Sequence, residues 1–244
     1  MIKIALVTGC LGGIGQEVCK LLSETHQVLG WDLDASLDGS SPNKFLSSYS
    51  TVDHRDLESV RAASSVITDK VDLLICMAGR ALGEEAKINS SGELPHPALF
   101  QESILTNLLG HYNVVYSMTE KLKDDSSLVL VGSINAIQGY GMPAYSSAKA
   151  GLSGLAVSLA PHLGRRGIRI NVAALGTVTT DNSLREWGHS KDRFVRRAKE
   201  TCLERIQNPI EAAHSIVNLG GNFPNMTGQT VVIDAGATVF RADN

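Results

Sequence analysis

The stretch TGCLGGIG, residues 8–15, follows the apolar run IKIALVT (2–8) and precedes a segment with helical periodicity. Gly9, Gly13 and Gly15 therefore lie where a strand would turn into a helix. Such a turn lets the backbone approach a pyrophosphate closely, and the helix N-terminus offers it free amides. The spacing G-x-x-x-G-x-G differs from the G-x-G-x-x-G of the common dinucleotide fingerprint. The stretch predicts a phosphate-binding turn, with a plain strand–helix turn as the alternative.

Further apolar runs recur along the chain, and several show no alternation, as expected for parallel strands covered on both faces. They are QVLGW (27–31), YSTVD (49–53), VDLLICMA (71–78), SLVLVGS (127–133), IRINVAAL (168–175) and QTVVID (229–234). Helical periodicity fills the segments between them, at 14–23, 56–68 and about 97–122. The alternation predicts an α/β doubly wound, Rossmann-like fold with a mostly seven-stranded parallel sheet and helices on both faces.

The chain is expected to form one domain over residues 1–244, because no linker long enough to separate two domains interrupts the alternation. Residues 177–207 follow a strand but carry mixed charge and no β pattern. An insertion at the carboxyl end of a strand is where α/β proteins place lids and specificity loops. We therefore predict a substrate lid at about 177–207.

Composition and charge exclude several classes of function. The net charge is −3 without a basic block, and phosphate-backbone binding needs clustered Lys and Arg, so we expect no nucleic acid partner. No apolar run approaches the roughly 20 residues of a membrane span. The four cysteines lack CxxC spacing, which favours reduced thiols and a cytoplasmic location. The seven histidines show no metal-binding spacing, so no metal site is predicted.

The second predicted strand ends in Trp31-Asp32. A carboxylate at this place can accept hydrogen bonds from an adenosine ribose and repels a 2′-phosphate. Gly12 and Leu33 supply no positive charge that an NADP pocket would need. Asp32 therefore predicts NAD rather than NADP as the cofactor, with a capping aspartate as the alternative.

The stretch AYSSAKAG (144–151) places Tyr145 and Lys149 four residues apart, so the two side chains are neighbours on a helix. The pair can be an ordinary surface contact. Alternatively, a cationic Lys149 favours the phenolate and lowers the pKa of Tyr145 toward the working pH of a general base. Tyr140 is a nearby phenol without a lysine four residues later.

TGCLGGIG and YSSAK (145–149) together resemble the TGxxxGxG and YxxxK motifs of the short-chain dehydrogenase/reductase family in its single-domain form. The resemblance covers essentially the whole chain. It implies a catalytic set of Ser133, Tyr145, Lys149 and Asn107. The cofactor-binding residues that it implies, together with Asp32, are Gly9, Gly13, Ile14, Gly15, Asp53, Ala78, Gly79, Tyr145, Lys149, Val178 and Thr180.

The resemblance also implies the role of each catalytic residue. Tyr145 would move the proton, Ser133 would hold or polarise the substrate oxygen, Lys149 would bond the nicotinamide ribose and Asn107 would anchor a proton-relay water. The reaction would be hydride exchange between nicotinamide and a small secondary alcohol or ketone. Self-association as a tetramer or dimer, through the helices that carry Asn107 and Tyr145, is implied as well.

Four positions depart from the family pattern. Met77 stands where the family has an asparagine that braces the sheet, and Ser133 and Tyr145 lie one residue closer in sequence than in most members. Leu175-Gly176 replaces a PG pair, and DAG (234–236) replaces DGG. These changes concern the fine geometry of the site rather than its class.

Two other functions are weighed against this one. A 3-oxoacyl-thioester reductase would use the same residues with NADPH, whereas a non-catalytic NAD-binding sensor or scaffold would have no reason to hold all four catalytic residues. Substrate choice is expected to depend on the loops at 80–100 and 177–207. Those loops offer Glu84, Glu85, Arg185, Trp187 and His189 as possible contacts.

Overall fold

The computed structural model of the chain describes residues 2–33, 43–81, 83–85, 92–186 and 191–240. Seven strands form one parallel sheet. They are β1 (Lys3–Thr8), β2 (His26–Asp32), β3 (Ser48–Thr51), β4 (Val71–Cys76), β5 (Leu122–Ser133), β6 (Arg169–Leu175) and β7 (Thr230–Ile233). Their order across the sheet is β3-β2-β1-β4-β5-β6-β7. This arrangement confirms the predicted doubly wound fold.

Helices alternate with the strands. They are α1 (Gly13–Leu22), α2 (Leu57–Ser65), α3 (Pro97–Ile104), α4 (Gly110–Met118), α5 (Pro143–Leu163), α6 (Asp181–Glu186), α7 (Lys191–Lys199) and α8 (Pro209–Gly221). A π-helical segment, Leu105–Leu109, joins α3 to α4, so the helical run predicted at about 97–122 is continuous up to Lys121, and Leu122 already begins β5. Pro161 lies two residues before the end of α5, where the absence of its N–H affects only the last turn.

Both faces of the sheet are covered, which explains why the strands are apolar without alternation. On β1, Ile4 and Leu6 pack into a core with α2, α4 and α5. Ala5 and Val7 point to the opposite face and pack into a second core with α1 and α8. Successive residues in the middle of the strand thus pack into two different cores, so apolar side chains are favoured on both faces.

The strand order reverses at β1, which lies between β2 and β4. Parallel sheets of this kind bind ligands outside the carboxyl ends of the strands at the reversal point. The glycine turn, residues 9–12, follows β1 at this edge, and the segment after β4 lies beside it. The topology therefore brings the predicted cofactor residues to one end of the sheet.

The two ends of the predicted lid at 177–207 lie next to each other. Val178 and Gln207 form an isolated β-bridge. The amide of Thr179 donates to the Gln207 carbonyl at 2.9 Å, and the amide of Gln207 donates to the Thr177 carbonyl at 3.2 Å. Helices α6 and α7 lie between these two ends. Among the described residues, no helix has the length and apolar character needed to cross a membrane.

Candidate active site

A cleft of about 550 Å³ opens at the carboxyl ends of β1, β2 and β4. It contains most of the residues predicted to bind the cofactor. The predicted residues that line it are Gly9, Gly13, Ile14, Gly15, Asp32, Ala78, Gly79 and Thr180. Arg55, Arg80 and Thr106 also line it, and the sequence had not indicated any of them.

The glycine turn is shaped by the close approach of β1 to the segment after β4. Gly9 has φ +73°, and a Cβ on it would lie 2.9 Å from the Ala78 Cα. A Cβ on Gly15 would overlap the Gly9 carbonyl oxygen. Both positions therefore require glycine, and the first residues of α1, Gly13, Ile14 and Gly15, line the cleft.

Gly15→Ala is expected to reduce NAD affinity at least about 10-fold or to prevent folding, because the new methyl group must displace the Gly9 carbonyl. Titration of Trp31 fluorescence with NAD measures the affinity, since Trp31 lines the cleft. Gly221→Ala is the control, because Gly221 lies outside the cleft and a Cβ on it would meet nothing within 4 Å. Equal binding by the wild type and Gly15→Ala would contradict the close approach.

Asp32 is fixed at the end of β2, next to the glycine turn. Its Oδ2 accepts a hydrogen bond from the Leu11 amide at 2.9 Å, and its Oδ1 accepts one from the Leu33 amide at 2.8 Å. These bonds orient the carboxylate at the edge of the cleft. The position suits a bond to a ribose hydroxyl and opposes a phosphate there.

Four of the predicted cofactor residues do not line the cleft: Asp53, Tyr145, Lys149 and Val178. Val52, His54 and Arg55, which are close to Asp53 in sequence, do line it. The Arg55 guanidinium donates to Asp53 at 2.9 Å from Nε and 2.7 Å from Nη2. This pairing lowers the pKa of the Asp53 carboxyl and neutralises the charge of the Arg55 guanidinium.

The side chain of Thr8 holds the end of β1 to the segment that follows β4. The Thr8 hydroxyl accepts hydrogen bonds from the amides of Met77, at 3.1 Å, and Ala78, at 3.2 Å. Thr8 is the last residue of β1, so it joins that strand to the segment after β4. The half-buried side chain of Met77 itself packs against the α1–α8 core.

Lys149 is buried in the first half of α5, with 4% of its surface exposed. Its Nζ donates to the Val131 carbonyl at 2.9 Å and lies 5.8 Å from the centroid of the Tyr145 ring. Burial lowers the pKa of Lys149 to about 8. A surface pair would leave the ammonium in water, so the buried position favours the catalytic interpretation of the Tyr145–Lys149 spacing.

Asn107 lies fully buried in the π-helical segment. Its Oδ1 accepts from the Arg80 amide at 3.0 Å, and its Nδ2 donates to the Arg80 carbonyl at 2.9 Å. The two predicted catalytic groups lie beside Gly79, which lines the cleft. A Cβ on Gly79 would lie 2.7 Å from Asn107 Oδ1 and 3.6 Å from Lys149 Nζ. π-Helical turns are frequent at functional sites.

Ser133 and the two lid-side residues complete the predicted set. The Ser133 hydroxyl donates to Asn135 Oδ1 and accepts from the Asn135 amide, both at 3.2 Å. Ser133 ends β5, two residues after the carbonyl that binds Lys149. Thr180 lines the cleft, whereas Val178 lies at the β-bridge beside it.

Tyr140, the alternative phenol, belongs to another cluster. Its hydroxyl donates to Gln138 Oε1 at 2.7 Å, and the Arg197 guanidinium of α7 lies 5.0 Å from its ring centroid. Burial raises the pKa of Tyr140, which disfavours a role as a base. The ring instead forms a contact between the lid and the loop that precedes α5.

The possible substrate contacts are only partly visible. Glu84 is exposed and Glu85 is buried. Trp187, His189 and the side chain of Arg185 lie outside the described residues. Within the described part of the chain, no group of three or more His, Cys, Asp or Glu residues could hold a metal ion. Cys10 packs in the core under the glycine turn, where burial raises its pKa and makes the thiol unreactive.

Comparisons with known proteins agree with this geometry. Residues 3–189 match the family model described as short chain dehydrogenase. An uncharacterized oxidoreductase of Schizosaccharomyces pombe is 30% identical over 247 residues, covering 96% of this chain and 90% of that protein. The acetoacetyl-CoA reductase of an Acinetobacter species is 28% identical over 251 residues, covering 96% and 97%.

Among solved structures, a short chain dehydrogenase family protein from Francisella tularensis has a TM-score of 0.82 at 25% identity. The match covers 98% of this chain and 99% of that chain. The glycine turn, the reversal-point cleft and the buried lysine beside a tyrosine are thus found in a chain that belongs to the short-chain dehydrogenase/reductase family.

Proposed function

We propose that the protein is an NAD-dependent oxidoreductase that transfers a hydride between nicotinamide and a small secondary alcohol or ketone. The observation that carries this proposal is the position of Lys149. Its buried ammonium lies 5.8 Å from the Tyr145 ring centroid and beside the Gly79 end of the cleft. A buried cation at this place is costly for stability and has a chemical purpose, which is to favour the phenolate of Tyr145.

NAD, when bound in the cleft, would accept the hydride from the carbinol carbon of the alcohol. Tyr145 takes the hydroxyl proton as the carbonyl forms, and it returns the proton in the reverse direction. Ser133 donates a hydrogen bond to the substrate oxygen and holds it toward Tyr145. Asn107 fixes Arg80 and, through it, the segment that follows Gly79.

The preference for NAD rests on Asp32, and its removal should change the nucleotide ratio. Asp32→Asn keeps the shape of the side chain but removes the charge that opposes a 2′-phosphate. We expect the kcat/KM for NAD to fall about 10-fold, as for a lost charged hydrogen bond, and that for NADP to rise. Steady-state rates with both nucleotides measure the ratio. An unchanged ratio would contradict the role of Asp32.

A second candidate within the same chemistry is a 3-oxoacyl-thioester reductase that uses NADPH. The similarity to the acetoacetyl-CoA reductase of Acinetobacter supports it, as does Arg55 in the cleft wall. The ion pair with Asp53 neutralises the Arg55 guanidinium, and the carboxylate of Asp32 also lines the cleft. These charges oppose a 2′-phosphate and favour NAD. Reduction of acetoacetyl-CoA with NADPH, faster than any alcohol oxidation with NAD, would favour the second candidate.

We also propose that the protein is a cytoplasmic homo-oligomer, a tetramer or a dimer. Apolar side chains are exposed on the helices that carry Asn107 and Tyr145: Leu109, Tyr112 and Tyr116 on one, Val157 on the other. These faces would be covered by a second copy of the chain. All four cysteines are free, which suits a reducing compartment. Sedimentation analysis of the purified protein tests the oligomeric state.

A further inference from the structure

The first turn of α5, the helix that carries Tyr145, has no cap from its own neighbourhood. The side chain of Met142, which precedes the helix, makes no capping hydrogen bond, and the first turn contains no acidic residue. Pro143 has no N–H, and the Ser146 amide donates to the Met142 carbonyl at 2.8 Å. The amides of residues 144 and 145 are the two that remain, and buried amides require a partner.

Glu85 provides that partner from a distant part of the chain. Its carboxylate accepts from the Ala144 amide at 2.6 Å and from the Tyr145 amide at 3.1 Å. The residue is 1% exposed, although glutamate is rarely buried. All N–H groups of the first helical turn are thereby satisfied, two of them by one side chain that lies about 60 residues earlier in the sequence.

We propose that Glu85 is a positioning residue for Tyr145, which fixes the turn of backbone from which the phenol projects. The proposal rests on the proposed function, because Tyr145 matters only if it moves the proton. The same chain segment is fixed at its other end by the Arg80 bonds to Asn107. Residue 80 thus holds the side chain of Asn107, and residue 85 holds the backbone amide of Tyr145.

The charge of Glu85 adds a second effect. A carboxylate at a helix N-terminus is stabilised by the helix dipole. It also opposes negative charge nearby, and the phenolate of Tyr145 would be such a charge. Removal of the carboxylate should therefore make Tyr145 ionise at lower pH, while loss of its hydrogen bonds should loosen the turn and reduce turnover.

The test compares Glu85→Gln and Glu85→Ala with Glu84→Gln, an adjacent and exposed control with the same change of charge. Each protein is titrated by ultraviolet absorbance, and the titration of its own Tyr145→Phe counterpart is subtracted to isolate Tyr145. This measurement needs neither cofactor nor substrate. Turnover and NAD affinity are measured separately, and circular dichroism establishes that each variant is folded.

We expect the Tyr145 midpoint in Glu85→Gln to fall by roughly half a pH unit or more, because a negative charge bonded to the Tyr145 amide is removed. Turnover should fall about 10-fold in Glu85→Ala, with NAD affinity within about 2-fold of wild type. If Glu85→Ala does not fold, the isosteric Glu85→Gln decides alone. A midpoint and turnover identical to those of the Glu84→Gln control would overturn the proposal.

The titration separates failure of this inference from failure of the proposed function. If no substrate is ever turned over but the midpoint moves, Glu85 positions Tyr145 and only the function is wrong. If turnover is found and the midpoint, the rate and the control all agree with wild type, the function stands and Glu85 has no positioning role.

Discussion

Tyr145→Phe is expected to lower turnover by about 100- to 10,000-fold, the range that a positioned general acid or base contributes. The phenyl ring can keep the packing of α5 but cannot carry the proton. Lys149 would remain bound to the Val131 carbonyl, so the cofactor side of the site should be unaffected. The kcat for the alcohol is therefore expected to fall far more than the NAD affinity, which is followed through Trp31 fluorescence.

Tyr140→Phe is the matched control for this prediction. It removes a phenol from the loop that precedes α5, but that hydroxyl bonds Gln138 and lies under Arg197. Its turnover is expected to stay within about 3-fold of wild type, since the lost hydroxyl bonds Gln138 and belongs to a cluster outside the cleft. Equal losses in Tyr140→Phe and Tyr145→Phe would show that the assignment of the proton to Tyr145 is wrong.

Lys149→Met is expected to make the protein more stable and nearly inactive. Burial lowers the pKa of Lys149 from 10.5 to about 8, which corresponds to roughly 3 kcal/mol of unfavourable burial. The lost hydrogen bond to the Val131 carbonyl offsets about 1 kcal/mol of that. The variant without cofactor should gain about 2 kcal/mol in the free energy of unfolding and lose turnover by about 100-fold or more.

The gain in stability should depend on pH in a defined direction. Below pH 8 the buried ammonium is charged in the folded protein, so the wild type carries the full cost. Between pH 8 and 10.5 the unfolded chain binds more protons at this site than the folded chain, so wild-type stability rises relative to the variant. Urea unfolding across this range should show that the difference in the free energy of unfolding between Lys149→Met and the wild type decreases. A variant less stable than wild type near neutral pH would contradict the account.

The fold was predictable because its pattern is local and repeated. Runs such as VDLLICMA and IRINVAAL are apolar at most positions without alternation, and β4 and β6 are indeed buried on both faces. The start of β5 was not predictable in the same way. Residues 122–126 are mostly polar, Asp125 has φ +64°, and the pairing register with β4 shifts between Val71 and Leu73. Irregular pairing of this kind leaves no period in the sequence.

The candidate site was predictable where its residues belong to compact motifs. The glycine residues and the Tyr145–Lys149 pair each fall within a stretch of eight residues, TGCLGGIG (8–15) and AYSSAKAG (144–151). The structure places both stretches at one end of the sheet. Contacts between distant segments were beyond reach. Thr8 bonds the backbone after β4, and Glu85 bonds the first turn of α5. Neither contact has a spacing that a single sequence reveals.

Asp53 shows a related limit. The resemblance implied that Asp53 binds the cofactor, at the position where the family has an adenine-contacting aspartate, but the side chain pairs with Arg55, two residues later. The orientation of one side chain depends on a local choice between hydrogen bonds, which position along the chain does not determine. The adenine contact of Asp53 remains a prediction.

The central claim is that this site moves a hydride between nicotinamide and a carbinol carbon. The most direct measurement incubates the wild-type protein with NAD and a panel of polyols, sugars, hydroxy acids, hydroxysteroids and simple secondary alcohols, and follows NADH absorbance. We predict NADH formation with at least one member, and slower reaction when NADP replaces NAD. Tight NAD binding with no hydride transfer to or from any member, including the ketones with NADH, would contradict the claim and favour a nucleotide sensor.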